Sequence, residues 1–92
     1  MRDKMQWMKV NIIESDVAAT KAAALMDQFG KSYRDAGAPS GAKVYHRQIP
    51  SVGHTYYFSP RASEIAGSVL VKFGAVALPQ SPNLKGLDPI TL

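Results

Sequence analysis

The two histidines, His46 and His54, are the side chains of this cysteine-free sequence best suited to exchange a proton near neutral pH. They flank a turn-forming stretch, residues 50–53, and share a face if the flanking segments form a hairpin in which even-numbered residues pair with each other. A metal ion would need a third ligand, and no carboxylate lies between Asp35 and Glu64. We therefore expect hydrogen-bonded structural histidines, with no metal site.

Catalytic motifs are not found in the sequence. There is no G-x-S-x-G, no H-E-x-x-H, no phosphate-binding glycine loop and no closely spaced carboxylate pair of the kind that acid–base hydrolysis uses. A serine–histidine arrangement such as Ser59 with His54 is recognised only by geometry, so it stays open. We expect no cofactor and favour a protein that is not an enzyme. A small-molecule enzyme that uses His46, His54 or Tyr56 is the third functional hypothesis.

Ser59 and Arg61 stand at the predicted start of a helix, where Ser59 is followed by Pro60. Free backbone N–H groups and the positive end of the helix dipole converge at such a position, which suits a phosphate or carboxylate. Helix capping alone also explains Ser59, and an exposed arginine is ordinarily solvated. The sequence therefore predicts a helix start here and offers an anion site as a hypothesis.

A further group of side chains comes from alternate positions of three predicted strands. If the hairpin has the even register defined above, its apolar residues face the core together. The opposite, open face then carries Trp7, Lys9, Asn11, Tyr45, Arg47, Thr55 and Tyr57. An uncovered patch of aromatic side chains usually marks an interaction surface.

Three interpretations of this face compete. We favour self-association, in which two sheets pack face to face across a two-fold axis and enlarge a small core. Single-stranded nucleic acid is the alternative, because aromatic rings beside Lys9 and Arg47 suit base stacking and phosphate contact. In the third interpretation, the C-terminal tail folds back and covers the face.

The nucleic-acid interpretation invites comparison with the RNA-recognition motif, which has a similar β-α-β-β-α-β order. Residues 54–58, His-Thr-Tyr-Tyr-Phe, lack the basic-Gly-aromatic opening of the third-strand motif of that family. The first strand has only Trp7, near its start, where the family has an aromatic residue in the middle. We assign no family on this comparison.

The elements that position these side chains begin with a strand over residues 5–13, where residues alternate with period two. Ser15 is the expected N-cap of a helix that continues past Gly30 to about residue 36 and ends at Gly37.

The second half of the chain begins with a hairpin over residues 42–49 and 54–58. A second helix follows from Pro60 to Gly74. Residues 75–78 form either a fourth strand or a continuation of that helix.

This order predicts an α+β fold of the ferredoxin-like type, with the first two strands in parallel orientation, some antiparallel pairs, and two helices on one sheet face. A plain three-stranded α+β sandwich is the alternative. We expect residues 1–79 to form one domain and residues 80–92 an irregular tail that docks on it, since the tail has two prolines but also Leu84, Leu87, Ile90 and Leu92.

Composition limits the function only broadly. Hydrophobic residues make up 46% and charged residues 20% of 92 residues, as in a folded protein, and the net charge is +4. Residues 39–73 hold most of the surplus, with four basic groups and one acidic group. No stretch is typical of a signal peptide or a membrane span, so we expect a cytoplasmic protein. The sequence predicts a small basic interaction module, homodimeric through the open face, that binds a small anion near Arg61.

Overall fold

The computed structural model describes residues 6–92 as an α+β fold with a five-stranded antiparallel sheet and two helices. The strands are β1 (Met8–Ile13), β2 (Val44–Ile49), β3 (Gly53–Phe58), β4 (Val76–Ala77) and β5 (Asp88–Pro89), and the helices are α1 (Ala18–Asp35) and α2 (Pro60–Lys72). The strand order is β4-β1-β3-β2-β5. The alternative of a three-stranded sandwich is therefore wrong. The first residue of the predicted strand 5–13 lies outside the described part of the chain.

Strand β3 lies between β1 and β2 and is antiparallel to both. Strands β1 and β2 therefore run in the same direction without being neighbours, because the connection through α1 carries the chain past the position that β3 fills.

The hairpin has the predicted even register, with Val44 opposite Phe58 and His46 opposite Tyr56. The β1–β3 pairing keeps the same parity, since Val10 lies opposite Tyr56. Even-numbered residues of all three strands consequently share one face. This face is apolar at its centre and is buried, with Val10 and Phe58 fully excluded from solvent.

Both helices pack on this even-numbered face. Their apolar stripes supply the other half of the core: Ala18, Ala22, Leu25 and Phe29 from α1, and Ala62, Ala66 and Leu70 from α2. The ring centroids of Phe29 and Phe58 are 5.2 Å apart, so α1 is seated directly on β3. Within residues 6–92, neither helix has the length and apolarity that crossing a membrane requires.

The start of α1 differs from the sequence prediction. Ser15 does not cap the helix, because its hydroxyl accepts the N–H of Val17 in a turn that precedes the first helical residue. Val17 occupies the N-cap position and makes no side-chain cap bond. The end is as predicted, with Gly37 in the left-handed region at φ 86° after a helix that passes through Gly30.

The start of α2 is confirmed. Ser59 is the N-cap, and its hydroxyl accepts the N–H of Ala62 at 3.3 Å, with Pro60 next in the chain. The stripe predicted as unbroken contains one irregularity, since Ala66 has φ −128° and ψ 23°, outside the helical region. The helix resumes after it and stops before Gly74, which has φ 79°.

The C-terminal part of the chain connects the two edges of the sheet. Residues 75–78 contribute the short β4 beside β1, and the N–H of Leu78 donates to the carbonyl of Trp7 at 2.9 Å. Strand β5 pairs with β2 at the opposite edge, and the N–H of Ile90 donates to Val44 at 2.9 Å. We call residues 78–87 the crossover segment. It crosses the odd-numbered face, because its residues line a cleft together with odd-numbered residues of β1, β2 and β3.

Gly53 tests the register of the central strands. Its φ is 136°, and a Cβ there would overlap the carbonyl oxygen of Ile12 and come 2.9 Å from the amide nitrogen of Glu14. We expect Gly53→Ala to lower the free energy of unfolding by about 1–3 kcal/mol, measured by urea denaturation. Gly67→Ala is the matched control, because a Cβ there meets nothing within 4 Å. Equal stability of Gly53→Ala and the parent protein would contradict this register.

Candidate functional site

A cleft of about 480 Å³ lies between the odd-numbered sheet face and the crossover segment. We call it the cationic cleft and define it by Lys9, Arg47, Tyr57, Asn83 and Lys85, which all line it. Leu78, Pro79 and Pro82 supply its apolar rim. Three cations and one aromatic ring thus share a single solvent-accessible hollow.

The sheet register brings the first three of these side chains together. Lys9 of β1 lies directly opposite Tyr57 of β3, and Arg47 of β2 lies opposite Thr55, one position further along the same face. Directly opposite and diagonal neighbours in a sheet are within reach of long side chains. Lys85 arrives from the crossover segment, where its N–H donates to the Asn83 side-chain oxygen at 3.0 Å.

The charges of the cationic cleft are not neutralised by the carboxylates of the described chain. Within residues 6–92, ion pairs join Lys31 to Asp35 and Arg61 to Glu64. Lys9 is half-buried beside Tyr57, while Arg47 and Lys85 are exposed. The cleft therefore gathers three positive charges, and the stem of one of them, Lys9, is half-buried.

The aromatic residues predicted for the open face are brought together but not left fully open. The rings of Trp7 and Tyr45 lie 6.1 Å apart, and both side chains, like that of Tyr57, are half-buried. The crossover segment borders this half of the face.

The other half of the odd-numbered face has no segment over it in the described chain. There the hydroxyl of Thr55 donates to the side-chain oxygen of Asn11 at 3.0 Å. Next come Ile13, with 79% of its surface exposed, and Ile49, with 39%, on either side of Gly53. This end of the face is a short apolar row.

His46 and His54 lie on the helix-facing side and are hydrogen-bonded, with Nε2 of His46 3.1 Å from Nδ1 of His54. When both rings are neutral, one of these two nitrogens carries the hydrogen and donates it, and the other nitrogen accepts. Burial lowers the pKa of His46 and the charge of His54 lowers it further, against an opposing effect of Asp88. Burial also raises the pKa of Tyr56, whose ring centroid is 4.6 Å from that of His46.

The chemistry available to this histidine pair is transfer of a proton. Asp88 of β5 lies opposite His46 in the sheet. Nevertheless, within residues 6–92 no three His, Cys, Asp or Glu side chains are grouped as a metal ion would require.

Ser59 and Arg61 both have partners within the chain. The Ser59 hydroxyl donates to the carbonyl of Gly41 and accepts the N–H groups of Lys43 and Ala62. Arg61 contacts Glu64 at 3.0 Å. An anion site at this helix start stays a prediction that these contacts do not favour.

A catalytic pair of Ser59 and His54 is wrong. His54 lies near the start of β3 and Ser59 follows the last residue of this strand, so the two are five positions apart along extended chain, about 16 Å at the usual rise per residue.

Two residues of the cationic cleft, Asn83 and Lys85, were missed by sequence reasoning. The prolines and leucines of residues 80–92 indicate a tail that docks, but they carry no periodicity that fixes its path. The path depends on β4, for which the sequence allowed either a strand or a continuation of the helix, and on β5, whose two residues are too few to be recognised from sequence.

Comparison with known proteins gives no relative: no protein-family model matches the chain, and no curated protein or solved structure is significantly similar to it. Proposals about its function therefore rest on the contacts and charges of residues 6–92.

The lowered pKa of His46 predicts how stability changes with pH. The unfolded chain, with an ordinary histidine pKa near 6.5, binds more protons than the folded chain, which favours neutral His46. The free energy of unfolding should thus be highest above this pH, fall as the pH drops through it, and level off below the lowered pKa. Carboxylates titrate mainly below about pH 5, so they do not obscure the effect of His46 above that pH.

Urea denaturation between neutral pH and about pH 5 measures this dependence. In His46→Gln the decline should be clearly smaller than in the parent protein, because the group whose neutral form the fold favours is gone. An identical decline in both proteins would show that His46 does not cause it.

Proposed function

We propose that this chain is a small binding module whose cationic cleft holds a small anionic ligand with an apolar or aromatic body. The observation that carries the proposal is the convergence of Lys9, Arg47 and Lys85 on one cleft beside Tyr57. This ligand class was expected from the sequence at Arg61, and the geometry favours the sheet face instead.

The three cations differ in what they contribute. The guanidinium of Arg47 offers a planar fork that binds a carboxylate or phosphate through two parallel hydrogen bonds. Lys9 and Lys85 act as point charges with mobile stems, so they adjust to the position of the anion. Lys9 is the most buried of the three residues, so the position of its stem is the most restricted.

The walls of the cleft suit a ligand of small-molecule size. Its volume of about 480 Å³ lies within the range of small-molecule sites. Tyr57, Leu78 and Pro82 give apolar and aromatic contact area beside the charges. The bond from the Lys85 N–H to Asn83 stabilises the turn that carries the third cation. A bare inorganic anion would use only the charges, whereas an aryl anion would use both parts.

The fold that supports this cleft is proposed to be a ferredoxin-like sandwich with an added edge strand. The support is the antiparallel order β4-β1-β3-β2 and the packing of α1 and α2 on one face. Strand β5 then extends the sheet beyond β2, and the crossover segment that leads to it forms one wall of the cleft.

This geometry is less suited to binding a single-stranded nucleic acid. Bases would have to stack on Trp7 and Tyr57, and the crossover segment borders that half of the face. The cleft therefore supports a small ligand over an oligonucleotide.

The proposal is tested with phenyl phosphate and inorganic phosphate, titrated into isotope-labelled protein and followed by amide NMR shifts. Phenyl phosphate should shift Lys9, Tyr57 and Asn83 and bind more tightly than inorganic phosphate, because the ring adds apolar contact. Arg47→Gln should weaken binding about tenfold, the usual effect of removing a hydrogen bond to a charged group.

Lys31→Gln is the matched control, because it removes one positive charge from α1 and should leave the affinity nearly unchanged. Equal loss in both variants would show that net charge alone attracts the ligand. Equal affinity for the two phosphates would contradict the apolar half of the proposal. Shifts confined to Arg61 and its neighbours would move the site to the start of α2.

Self-association is a second proposal, now placed on the half of the face beyond the crossover segment. The observation that favours it is the exposed apolar row of Ile13 and Ile49, with 79% and 39% of their surfaces accessible. Two copies related by a two-fold axis would bury both rows against each other.

Light scattering tests this self-association. The parent protein should show the mass of two chains at high concentration, and Ile13→Lys combined with Ile49→Lys should halve it. Val71→Lys combined with Leu92→Lys is the control, since both residues are exposed and apolar but lie elsewhere. A parent protein with the mass of one chain, or a dimer that survives the first pair of changes, would contradict the proposal.

A further inference from the structure

At the outer edge of β1, only two of its six residues are paired with β4. Strand β4 pairs with Met8 and Lys9, whereas β1 continues to Ile13. Beyond β4 the chain turns away from the edge toward α2, where the N–H of Ala75 donates to Leu70 at 3.1 Å.

The hydrogen bonds at the two ends of β1 identify which backbone groups face this uncovered edge. The carbonyl of Trp7 accepts from Leu78 on the β4 side, whereas the N–H of Glu14 donates to Val52 on the β3 side. Backbone groups alternate between the two neighbours of a strand, so odd-numbered residues point toward β4. The N–H and C=O groups of Asn11 and Ile13 therefore face outward, past the end of β4.

A groove of about 510 Å³ runs along this edge. Lys21 of α1 and Lys72 at the end of α2 line it together with the ring of Phe73, and no carboxylate does. Both lysines are exposed, and the ion pairs within residues 6–92 involve neither of them. The groove thus combines unpaired strand backbone, one aromatic ring and two positive charges.

We propose that an extended acidic peptide segment of a partner protein adds to this edge as a strand beside Asn11 and Ile13. The main-chain groups of these residues would supply the hydrogen bonds of strand addition. Because side chains alternate along an added strand, every second one would face Lys21, Lys72 and Phe73 on the helix side. Acidic residues at those positions match the two lysines.

The charge of the groove also distinguishes this partner from a second copy of the chain. Two copies paired edge to edge would bring the lysines of both grooves together, and like charges across an interface oppose association. The site is separate from the cationic cleft, which does not include any residue of this groove.

The experiment uses the full chain and a short capped peptide in which glutamate alternates with valine, with a lysine–valine peptide as its counterpart. In isotope-labelled protein, the glutamate peptide should shift the amides of Asn11 and Ile13 and slow their hydrogen exchange. The lysine peptide should bind at least tenfold more weakly.

Two variants test the two components of recognition separately. Asn11→Pro removes one outward N–H and no backbone hydrogen bond to β3, although the side-chain bond from Thr55 is lost with the Asn11 amide, and it should weaken binding at least tenfold. Lys21→Glu with Lys72→Glu leaves the backbone intact and should have a similar effect, so the proposal stays testable if the proline variant does not fold. Lys31→Glu with Lys43→Glu changes the net charge equally and should bind as the parent does.

Three results would overturn the proposal. The first is absence of binding at low salt, and the second is binding that leaves the Asn11 and Ile13 amides unchanged. The third is protection of the Asn11 and Ile13 amides that rises with concentration in the chain alone, which would make a second copy the occupant of this edge, whereas a concentration-dependent mass without that protection is the face-to-face dimer proposed above. Arg47→Gln should bind the peptide normally, so failure of the small-anion site would be seen separately.

Discussion

The pairing of β3 with both of its neighbours is the constraint on which the rest of the structure depends. Since even-numbered residues pair with even-numbered residues on both sides, Val10, Val44 and Phe58 meet the two helices together. A slip of one residue on either side would exchange the buried and exposed sets of a strand. The same register places Lys9, Arg47 and Tyr57 on the opposite face, so the core and the cationic cleft have one cause.

The C-terminal residues convert that opposite face from an open sheet into a cleft. Strand β4 attaches them at the edge of β1 and β5 attaches them at the edge of β2. The chain between these anchors has to cross the sheet, and it brings Lys85 over Lys9 and Arg47. The short length of β4 has a second effect, because it leaves the far end of β1 without a neighbour. The chain from β4 onward therefore shapes both the cationic cleft and the groove beside β1.

Local signals explain which parts of the fold the sequence could predict. Ser59 followed by Pro60 sets the start of α2, Gly37 ends α1, and the apolar residues of the hairpin favour one register. The prediction of Ser15 as the N-cap of α1 is wrong because its hydroxyl accepts the N–H of Val17 in a turn before the helix. Part of the site was predicted, because the strand pattern places Lys9, Arg47 and Tyr57 on one face. Asn83 and Lys85 were missed because their position depends on β4, which the sequence left open between strand and helix, and on the two-residue β5, which has no sequence signature.

In this account, the pairing of β3 with β1 and β2 and the path of the crossover segment together form an anion site on the odd-numbered sheet face, and the start of α2 is not that site. A crystal structure with 4-bromophenyl phosphate tests it most directly, because the bromine is located by its anomalous scattering independently of the protein. We predict the phosphate within hydrogen-bonding distance of Arg47 and Lys9, with the ring against Tyr57. A phosphate bound beside Arg61, or an unoccupied sheet face at saturating ligand, would contradict this account.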